Sequence, residues 1–404
     1  GRALHVVGEA GVGKSELVAQ TLRAAPAVRV VAGACQAFRK TAPYQAWKGV
    51  LQQLIGVTQG ASAAERTALL ESALGPELVG RAALLAPLLD FAVPESDQVA
   101  AMSAEDRSAA RQALFIALIR QAANATAVAG LTLVVLIEDL NWLDPASEQF
   151  LHALTAGLST MPLLVLTTAR PSVERTPDAP LHTTDVINLG PLAEPEARVV
   201  VDHLLAALDA KLSPDVISAI VRRSGGNPFF LEELVTDVVQ RAAAGARIGD
   251  NELPTSLHRL ILARLDRLTD EQLVNLKIAS VVGLEFEVAF VHACHDGSAR
   301  DEIVAALEAT RQLGLTPLHK SEPLCYAFNH GITRDVTYES QAHETRTRLH
   351  TRLAHHIEAL TGGADLDVLA YHYGLGDDLP KARHYLAAAA AAAKAVYANE
   401  AATT

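Results

Sequence analysis

An eight-residue segment near the start of the chain combines glycines, a lysine and a serine at a fixed spacing, Gly8-Glu9-Ala10-Gly11-Val12-Gly13-Lys14-Ser15. Glycines let the backbone turn so that successive N–H groups point at phosphate oxygens, and the N-terminus of a following helix adds positive charge. In such a loop, Lys14 reaches the β and γ phosphates and the Ser15 hydroxyl coordinates Mg²⁺. The segment, with Glu16 behind it, therefore predicts a nucleotide-binding loop. The alternative is a glycine turn beside an unrelated surface lysine.

A pair of carboxylates follows the most apolar run of the chain. Residues 131–137 read Leu-Thr-Leu-Val-Val-Leu-Ile, typical of a central parallel strand that is covered on both faces, and Glu138 and Asp139 come directly after it. Two carboxylates at the end of a buried strand are costly unless they meet a metal, a base or solvent. We expect Glu138 to bind Mg²⁺, and Asp139 to contribute to the metal site and to orient or deprotonate an attacking water. The alternative is a polar loop.

A third polar strand end lies further along the chain. The apolar run 163–166 is followed by Thr167, Thr168, Ala169 and Arg170. Ligands of open parallel sheets bind outside the carboxyl ends of the strands, so this end shares an edge with the glycine loop and the carboxylates. We expect Thr168 to contact the nucleotide, and Arg170 to act with Lys14 and Asp139 in catalysis by binding the γ phosphate through its two-pronged donor group. A surface ion pair is the alternative for Arg170.

The segment between these strand ends also contains the predicted start of a helix. Asp144 and Pro145 fit the N-cap and first position of a helix, which is a structural role.

The chain has 404 residues, which indicates two to four domains, and a net charge of −12, which disfavours extended contact with nucleic acid. Its three cysteines predict neither a disulfide framework nor a zinc site, and no run is apolar enough to span a bilayer. We therefore expect a cytoplasmic protein without a membrane partner.

Four segments together resemble a known family: GEAGVGKSELV, LVVLIEDLNWLDPAS, LLVLTTARP and GGNPFFLEEL. They are similar to the signalling NTPases of the STAND group, in particular the Orc1-like AAA ATPase module found with class III adenylate or guanylate cyclases and with LuxR-type regulators. The resemblance implies ATP and Mg²⁺ as ligands, ATP/ADP as alternating states and slow hydrolysis. It also implies that Pro228 packs near adenine and couples a helical lid to the nucleotide. Relatives often have Asp where this chain has Glu138.

The resemblance and the helical periodicity after residue 194 together predict an α/β P-loop NTPase followed by helical domains. We expect an NTPase core at 1–192, a helical lid at 193–245, a winged helix at 253–340 and an incomplete TPR-like helical arm at 341–404. The winged helix is expected from helices at 256–268, 271–282 and 301–313 followed by a hairpin at 315–319 and 324–328.

The expected function is an ATP-dependent regulatory module that couples its nucleotide state to a fused output domain, and to protein partners through the helical repeats. One alternative is a scaffold that binds nucleotide without hydrolysing it. Another is a DNA-binding regulator, but Arg259, Arg264 and Arg267 repeat at helical spacing with Asp266 among them, so we expect them to form a solvated face. His292, Cys294 and His295 lack the further ligands of a zinc site.

Overall fold

The computed structural model describes residues 1–35, 43–58, 60–89, 91, 93–171, 184–245, 253–295 and 297–395. The chain divides into two compact units. The first comprises Gly1–Gly8, Lys14–Leu189 and Leu386–Thr404, and the second comprises Glu9–Gly13 and Gly190–Tyr385. Residues 246–252, between the expected lid and the expected winged helix, and residues 396–404, at the end of the expected arm, lie outside the described residues.

The first unit contains a five-stranded sheet flanked by helices. Its elements are β1 (Arg2–Val7), α1 (Lys14–Ala24), β2 (Val28–Ala34), α2 (Gln45–Ile55), α3 (Ala63–Leu78), α4 (Asp97–Ala100), α5 (Ala104–Val128), β3 (Thr132–Glu138), α6 (Pro145–Ala156), β4 (Leu163–Ala169) and β5 (Thr184–Asn188). The strands lie in the order β2-β3-β4-β1-β5, and every adjacent pair is parallel. The predicted α/β parallel sheet is confirmed.

The sheet is covered on both faces, as the sequence of β3 predicted. Alternate residues of β3 enter two different hydrophobic clusters, with Leu133, Val135 and Ile137 in the larger one and Val134 and Leu136 in the smaller one. Successive side chains of a strand point to opposite faces, so both faces of β3 are packed. A strand buried on both sides is a rigid support for the polar residues that follow it.

Strand β4 lies between β1, which precedes the glycine loop, and β3, which carries Glu138. The register pairs His5 of β1 with Thr167 and Thr167 with Ile137 of β3, so the three strands end at nearly the same level. Hydrophobic periodicity predicts strands but not their lateral order, which depends on the helical crossovers.

An aromatic group fills the larger cluster on one side of the sheet. Trp47, Phe115 and Phe150 are almost completely buried, and Trp47 meets Phe150 edge-on with the ring centroids 4.6 Å apart. The Trp47 indole N–H donates to the Ser147 carbonyl at 3.2 Å, so the polar atom of this buried ring is satisfied. The aromatic group thereby joins α2, α5 and α6 beneath the segment that follows β3.

The second unit is mainly helical. Its elements are α7 (Glu194–Ala207), α8 (Pro214–Ser224), α9 (Pro228–Ala243), α10 (Leu257–Leu265), α11 (Asp270–Val282), β6 (Glu285–Glu287), α12 (Val288–Cys294), α13 (Arg300–Gln312), β7 (Leu318–Lys320), β8 (Cys325–Ala327), α14 (Gly331–Glu339), α15 (His343–Thr361), α16 (Leu366–Leu375) and the start of α17 (Leu379–Ala395). The three short strands form an antiparallel sheet in the order β6-β8-β7.

The caps of these helices agree with the sequence. Ser213 accepts from the Val216 N–H at the start of α8, and Asn227 accepts from the Phe230 N–H at the start of α9. Each cap is followed by a proline at the first helical position, where a missing N–H costs nothing. The helices α7, α8 and α9 then bury one shared hydrophobic cluster.

Of the three arginines expected to form a solvated face, Arg264 does not do so. Arg264 is buried and pairs with Glu233 of α9, while its guanidinium also donates to the Leu313 carbonyl at 2.7 Å. Arg267 pairs with the fully buried Asp237 of α9. Arg259 and Arg267 both belong to the exposed class, and Arg264 is the buried one of the three. The expectation was wrong for Arg264 because its partner Glu233 comes from another helix, which helical spacing alone cannot reveal.

A buried pair of histidines joins α15 to α16. His350 and His372 are nearly inaccessible to solvent, and their Nδ1 atoms lie 2.8 Å apart, so one donates and the other accepts. The Tyr338 hydroxyl lies 2.9 Å from His350 Nε2, which ties α14 to the same group. Within the described part of the chain, no helix is long and apolar enough to cross a membrane.

Candidate functional site

The glycine loop connects β1 to α1 in the predicted way. The Gly8 N–H donates to the Ala169 carbonyl at the end of β4, at 3.2 Å. Gly11 and Gly13 have φ angles of 78° and 96°, which glycine adopts readily and other residues rarely do. Helix α1 then begins at Lys14. The loop therefore has the backbone turns that a phosphate cradle needs.

Lys14 lies at the base of this loop. Its side chain is 8% exposed and its ammonium group donates to the Gly8 carbonyl at 2.7 Å. A buried ammonium that is anchored at the loop is well placed to meet an anion there. Glu16 behaves differently, because its carboxylate accepts from the Gln20 amide and lies 3.9 Å from Arg23, both on α1. A contact between Glu16 and a nucleotide stays a prediction.

Ser15 and Glu138 meet in the structure although they are far apart in the sequence. The Ser15 hydroxyl donates to the Glu138 carboxylate, and this bond lowers the pKa of Glu138, while burial raises it by more. The pKa of Glu138 is therefore raised above its ordinary value in total. A hydroxyl and a carboxylate oxygen are ligands that Mg²⁺ prefers, and a bound cation would offset the desolvation of Glu138. The donors present fit a magnesium site.

Asp139 is held beside this pair by its backbone. It has φ 57° and ψ 53°, a left-handed conformation, and its N–H donates to the Thr168 hydroxyl at 3.0 Å. Thr168 is 1% exposed, whereas Asp139 belongs to the exposed class. We expected Thr168 to contact the nucleotide, and the structure shows it binding the Asp139 backbone. The strained conformation places an accessible carboxylate next to the half-buried Glu138.

Sequence reasoning missed Asn141. Its side-chain oxygen accepts from the Arg170 N–H at 2.7 Å, and its amide nitrogen donates to the Arg170 carbonyl at 3.5 Å. The backbone pairing of β3 with β4 ends at Ile137 and Thr167, so Thr168 and Asn141 continue it with side chains. They hold the acidic segment against the end of β4. The role of the Arg170 guanidinium in binding a γ phosphate stays a prediction.

Asp144 has the structural role that the sequence predicted. Its carboxylate accepts from the Ser147 N–H at 2.9 Å and the Ser147 hydroxyl at 2.5 Å, which caps α6. It also accepts from the Tyr44 N–H at 3.0 Å, immediately before α2. Burial raises the pKa of Asp144, and these hydrogen bonds lower it by less. One carboxylate therefore holds the starts of two helices, beyond the single cap that was predicted.

The second unit holds the middle of the glycine loop. The Asn227 side-chain amide donates to the Ala10 carbonyl at 2.9 Å, and the Phe229 N–H donates to the Gly11 carbonyl at 3.2 Å. Pro228 occupies the first position of α9 between these donors. Asn227 is thus the N-cap of α9 and Pro228 is its first-turn proline. The expected packing of Pro228 near adenine stays a prediction.

The sequence of the chain is similar to a protein family and to a bacterial protein. Residues 1–166 match the AAA ATPase domain family. Over 284 residues the chain is 28% identical to an uncharacterized protein of Rhizobium meliloti (strain 1021), and the match covers 67% of this chain but 27% of that protein.

One solved structure is similar in fold over almost the whole chain. A crystal structure of a STAND protein with a tetratricopeptide repeat sensor, from Pyrococcus horikoshii, matches 99% of this chain and 52% of its own chain, with a TM-score of 0.54 and 15% identity. Cdc6p from Pyrobaculum aerophilum matches 88% of both chains with a TM-score of 0.36 and 12% identity. The chain thus spans about half of the Pyrococcus horikoshii protein and about a quarter of the Rhizobium relative. Residues 1–166 are thus similar in sequence to the AAA ATPase domain family, and they contain the strands β1 to β3 and the start of β4 of the parallel sheet, together with the loop after β1.

Proposed function

We propose that this chain binds ATP with Mg²⁺ at the glycine loop and the acidic end of β3, and that it works as a nucleotide-dependent regulatory module. The observation that carries the proposal is the hydrogen bond between the Ser15 hydroxyl and the Glu138 carboxylate. It joins the residue after the loop lysine to the first carboxylate after β3. The similarity of residues 1–166 to the AAA ATPase domain family supports the same choice of ligand.

Each side chain of the site then has a defined task. Lys14 binds the terminal phosphates, and Ser15 and Glu138 hold the metal ion. Mg²⁺, when bound, supplies charge that neutralises the phosphate oxygens. The accessible carboxylate of Asp139 orients a water molecule and accepts its proton, in a position set by the Thr168 hydroxyl. Arg170 approaches the terminal phosphate from the end of β4.

The second unit is where we propose that the nucleotide state is transmitted. The fold resembles that of the Pyrococcus horikoshii protein, which is described as a signal transduction ATPase with a tetratricopeptide repeat sensor. We divide the unit into a helical lid at 193–245, a winged helix at 253–340 and a helical arm from 341. The arm binds protein partners, and an output domain in the same polypeptide receives the signal.

Nucleotide binding is tested by measuring the affinities for a fluorescent ADP analogue and a fluorescent ATP analogue in the presence of Mg²⁺. Lys14→Ala removes a charge-assisted contact to phosphate, so we expect at least a tenfold loss of affinity. Lys211→Ala, at an exposed position between α7 and α8, is the matched loss of one positive charge. Equal affinities of Lys14→Ala and the wild type would overturn the proposal.

Hydrolysis needs a separate measurement, because binding and turnover are different claims. We expect slow single-turnover release of phosphate from the wild type, and a reduction of at least tenfold in Asp139→Asn. Asparagine tolerates the left-handed backbone at position 139, so this substitution removes the base without forcing the backbone to move. Release at the same background rate by both proteins would favour a scaffold that binds nucleotide without hydrolysing it.

A further inference from the structure

Two hydrogen-bond donors at the start of α9 contact the glycine loop. Asn227 donates through its side-chain amide to the Ala10 carbonyl, and Phe229 donates through its backbone N–H to the Gly11 carbonyl. Two neighbouring peptide carbonyls of the loop therefore point toward α9. We call this contact the loop clasp, and it consists of Asn227, Phe229, Ala10 and Gly11.

The clasp fixes the direction of the loop N–H groups. In a trans planar peptide, the C=O of one residue and the N–H of the next point in opposite directions. Because the Ala10 and Gly11 carbonyls face α9, the N–H groups of Gly11 and Val12 point away from it. A phosphate needs N–H groups rather than carbonyl oxygens on its side of a loop. The clasp therefore holds the Ala10–Gly11 peptide in the orientation that an anion requires, whereas the Val12 N–H donates to the Glu9 carbonyl at 3.4 Å.

Glycine makes such a restraint necessary. Gly11 has a φ of 78°, and a residue without Cβ passes between backbone conformations at little cost. A rotated Ala10–Gly11 peptide would present a carbonyl oxygen to the phosphate. The clasp also fits closely, because a Cβ at Gly11 would lie 3.0 Å from both Asn227 Oδ1 and Phe229 Cβ.

We propose that Asn227 is a positioning residue for the nucleotide, which acts by holding the Ala10–Gly11 peptide of the glycine loop. The proposal rests on the proposed nucleotide binding and adds a residue to it that touches the loop rather than the ligand. Asn227 also caps α9, since its Oδ1 accepts from the Phe230 N–H at 3.1 Å. One amide therefore joins the orientation of the loop to the start of a sixteen-residue helix.

Two substitutions separate the cap from the clasp. Serine and aspartate are both good N-caps, so Asn227→Ser and Asn227→Asp preserve the bond to the Phe230 N–H. Neither can donate to the Ala10 carbonyl, because serine is too short and the aspartate carboxylate is an acceptor. Ser213→Ala is the matched control, because Ser213 caps the neighbouring helix α8 by accepting from the Val216 N–H.

The experiment measures two quantities on each full-length variant: the affinity for a fluorescent ADP analogue with Mg²⁺, and the melting temperature without nucleotide. Loss of one hydrogen bond that orients the loop should weaken ADP binding by roughly three- to tenfold in Asn227→Ser. Asn227→Asp should weaken it further, because its charge repels phosphate. Both should melt within about 2 °C of the wild type, since the cap remains. Ser213→Ala should melt lower and bind ADP as tightly as the wild type.

The outcomes distinguish this inference from the function on which it depends. If the wild type fails to bind ADP and ATP, the proposed function itself is wrong. If the wild type binds and both Asn227 variants bind equally well, only the clasp is refuted. Weaker binding by Asn227→Asp alone would show a charge effect and would also refute the clasp.

Discussion

At the scale of single residues, the accessible carboxylate of Asp139 depends on a strained backbone. A non-glycine residue in the left-handed region costs about 1 kcal/mol or more, and the surrounding contacts must hold it there. The Asp139 N–H is bound by the Thr168 hydroxyl, and the segment after it is bound through Asn141 to Arg170. Thr168 and Asn141 therefore support the carboxylate without occupying the position of a reactant.

Thr168→Val tests this support, because valine has nearly the same shape and cannot accept the Asp139 N–H. We expect single-turnover phosphate release to fall by about tenfold while ADP affinity changes less than threefold, since the contact acts on Asp139 rather than on Lys14 or Ser15. Thr168→Ser keeps the hydroxyl and should restore most of the rate. A Thr168→Val protein that releases phosphate as fast as the wild type would show that the hydrogen bond has no part in hydrolysis.

The sequence predicted much of the site at this scale, but not its supports. The spacing of Lys14 and Ser15, and the position of Glu138 after an apolar run, predicted a shared edge, and the Ser15 bond to Glu138 agrees with it. Asn141 could not be found in this way. A side chain that replaces backbone pairing has no characteristic spacing, and its partner Arg170 lies 29 residues further along the chain.

At the scale of elements, α9 joins three parts of the second unit. Its first turn binds the glycine loop, and Phe229 in that turn packs against His330 with the ring centroids 3.7 Å apart, directly before α14. Further along α9, Glu233 and Asp237 pair with Arg264 and Arg267 of α10 and the residues after it. A conformational change in the glycine loop would therefore act on a helix that is bound tightly to its neighbours.

The buried pair of Glu233 and Arg264 should be sensitive to the loss of either partner. Arg264→Leu leaves the Glu233 carboxylate buried without its cation, so we expect the free energy of unfolding to fall by about 3 kcal/mol or more. The double variant Glu233→Leu/Arg264→Leu should recover much of that loss, because no isolated charge remains. Urea denaturation of the single and double variants measures both. Equal destabilisation by the single and the double variant would contradict a coupled pair.

Local patterns predicted the helices α10, α11 and α13 and missed the short elements between them. Strand β6 has three residues, which is too short to show alternation, and α12 has seven, about two turns. The solvated-face interpretation of Arg264 failed for a related reason. Its partner Glu233 lies 31 residues earlier, so the pairing depends on how α9 and α10 pack.

At the scale of the whole molecule, the buried histidines predict that the protein loses stability in mild acid. Burial, together with the nearby charges of Arg334 and Arg346, lowers the pKa of His350 to about 4, and burial lowers the pKa of His372 well below its ordinary value. The rings packed against His350 include those of Tyr338 and Tyr371, which supply no negative charge at neutral pH. The folded chain therefore resists protonation of these rings.

The sign of the effect follows from linkage. Unfolded histidines take up protons near pH 6.5, whereas folded His350 does so only near pH 4. Its contribution to stability is complete above pH 6.5 and is lost as the pH falls toward 4, by about 3 kcal/mol for this residue. Urea denaturation at steps from pH 7.5 to 4.5 measures the loss, which His350→Gln should reduce. The exposed His258→Gln variant should retain the full slope, and an unchanged slope in His350→Gln would contradict the assignment.

The left-handed backbone at Asp139 has a consequence for which sequences the site can tolerate. Glu138 is the last residue of an extended strand, whereas Asp139 has a left-handed backbone. In a library of all single substitutions, the two adjacent positions should therefore tolerate different residue types. For folding alone, position 138 should accept valine or threonine, and position 139 should accept asparagine and glycine while rejecting both of these β-branched residues. The folded variants recovered from such a library would thus carry β-branched residues at position 138 but not at position 139, although both positions are acidic in the sequence.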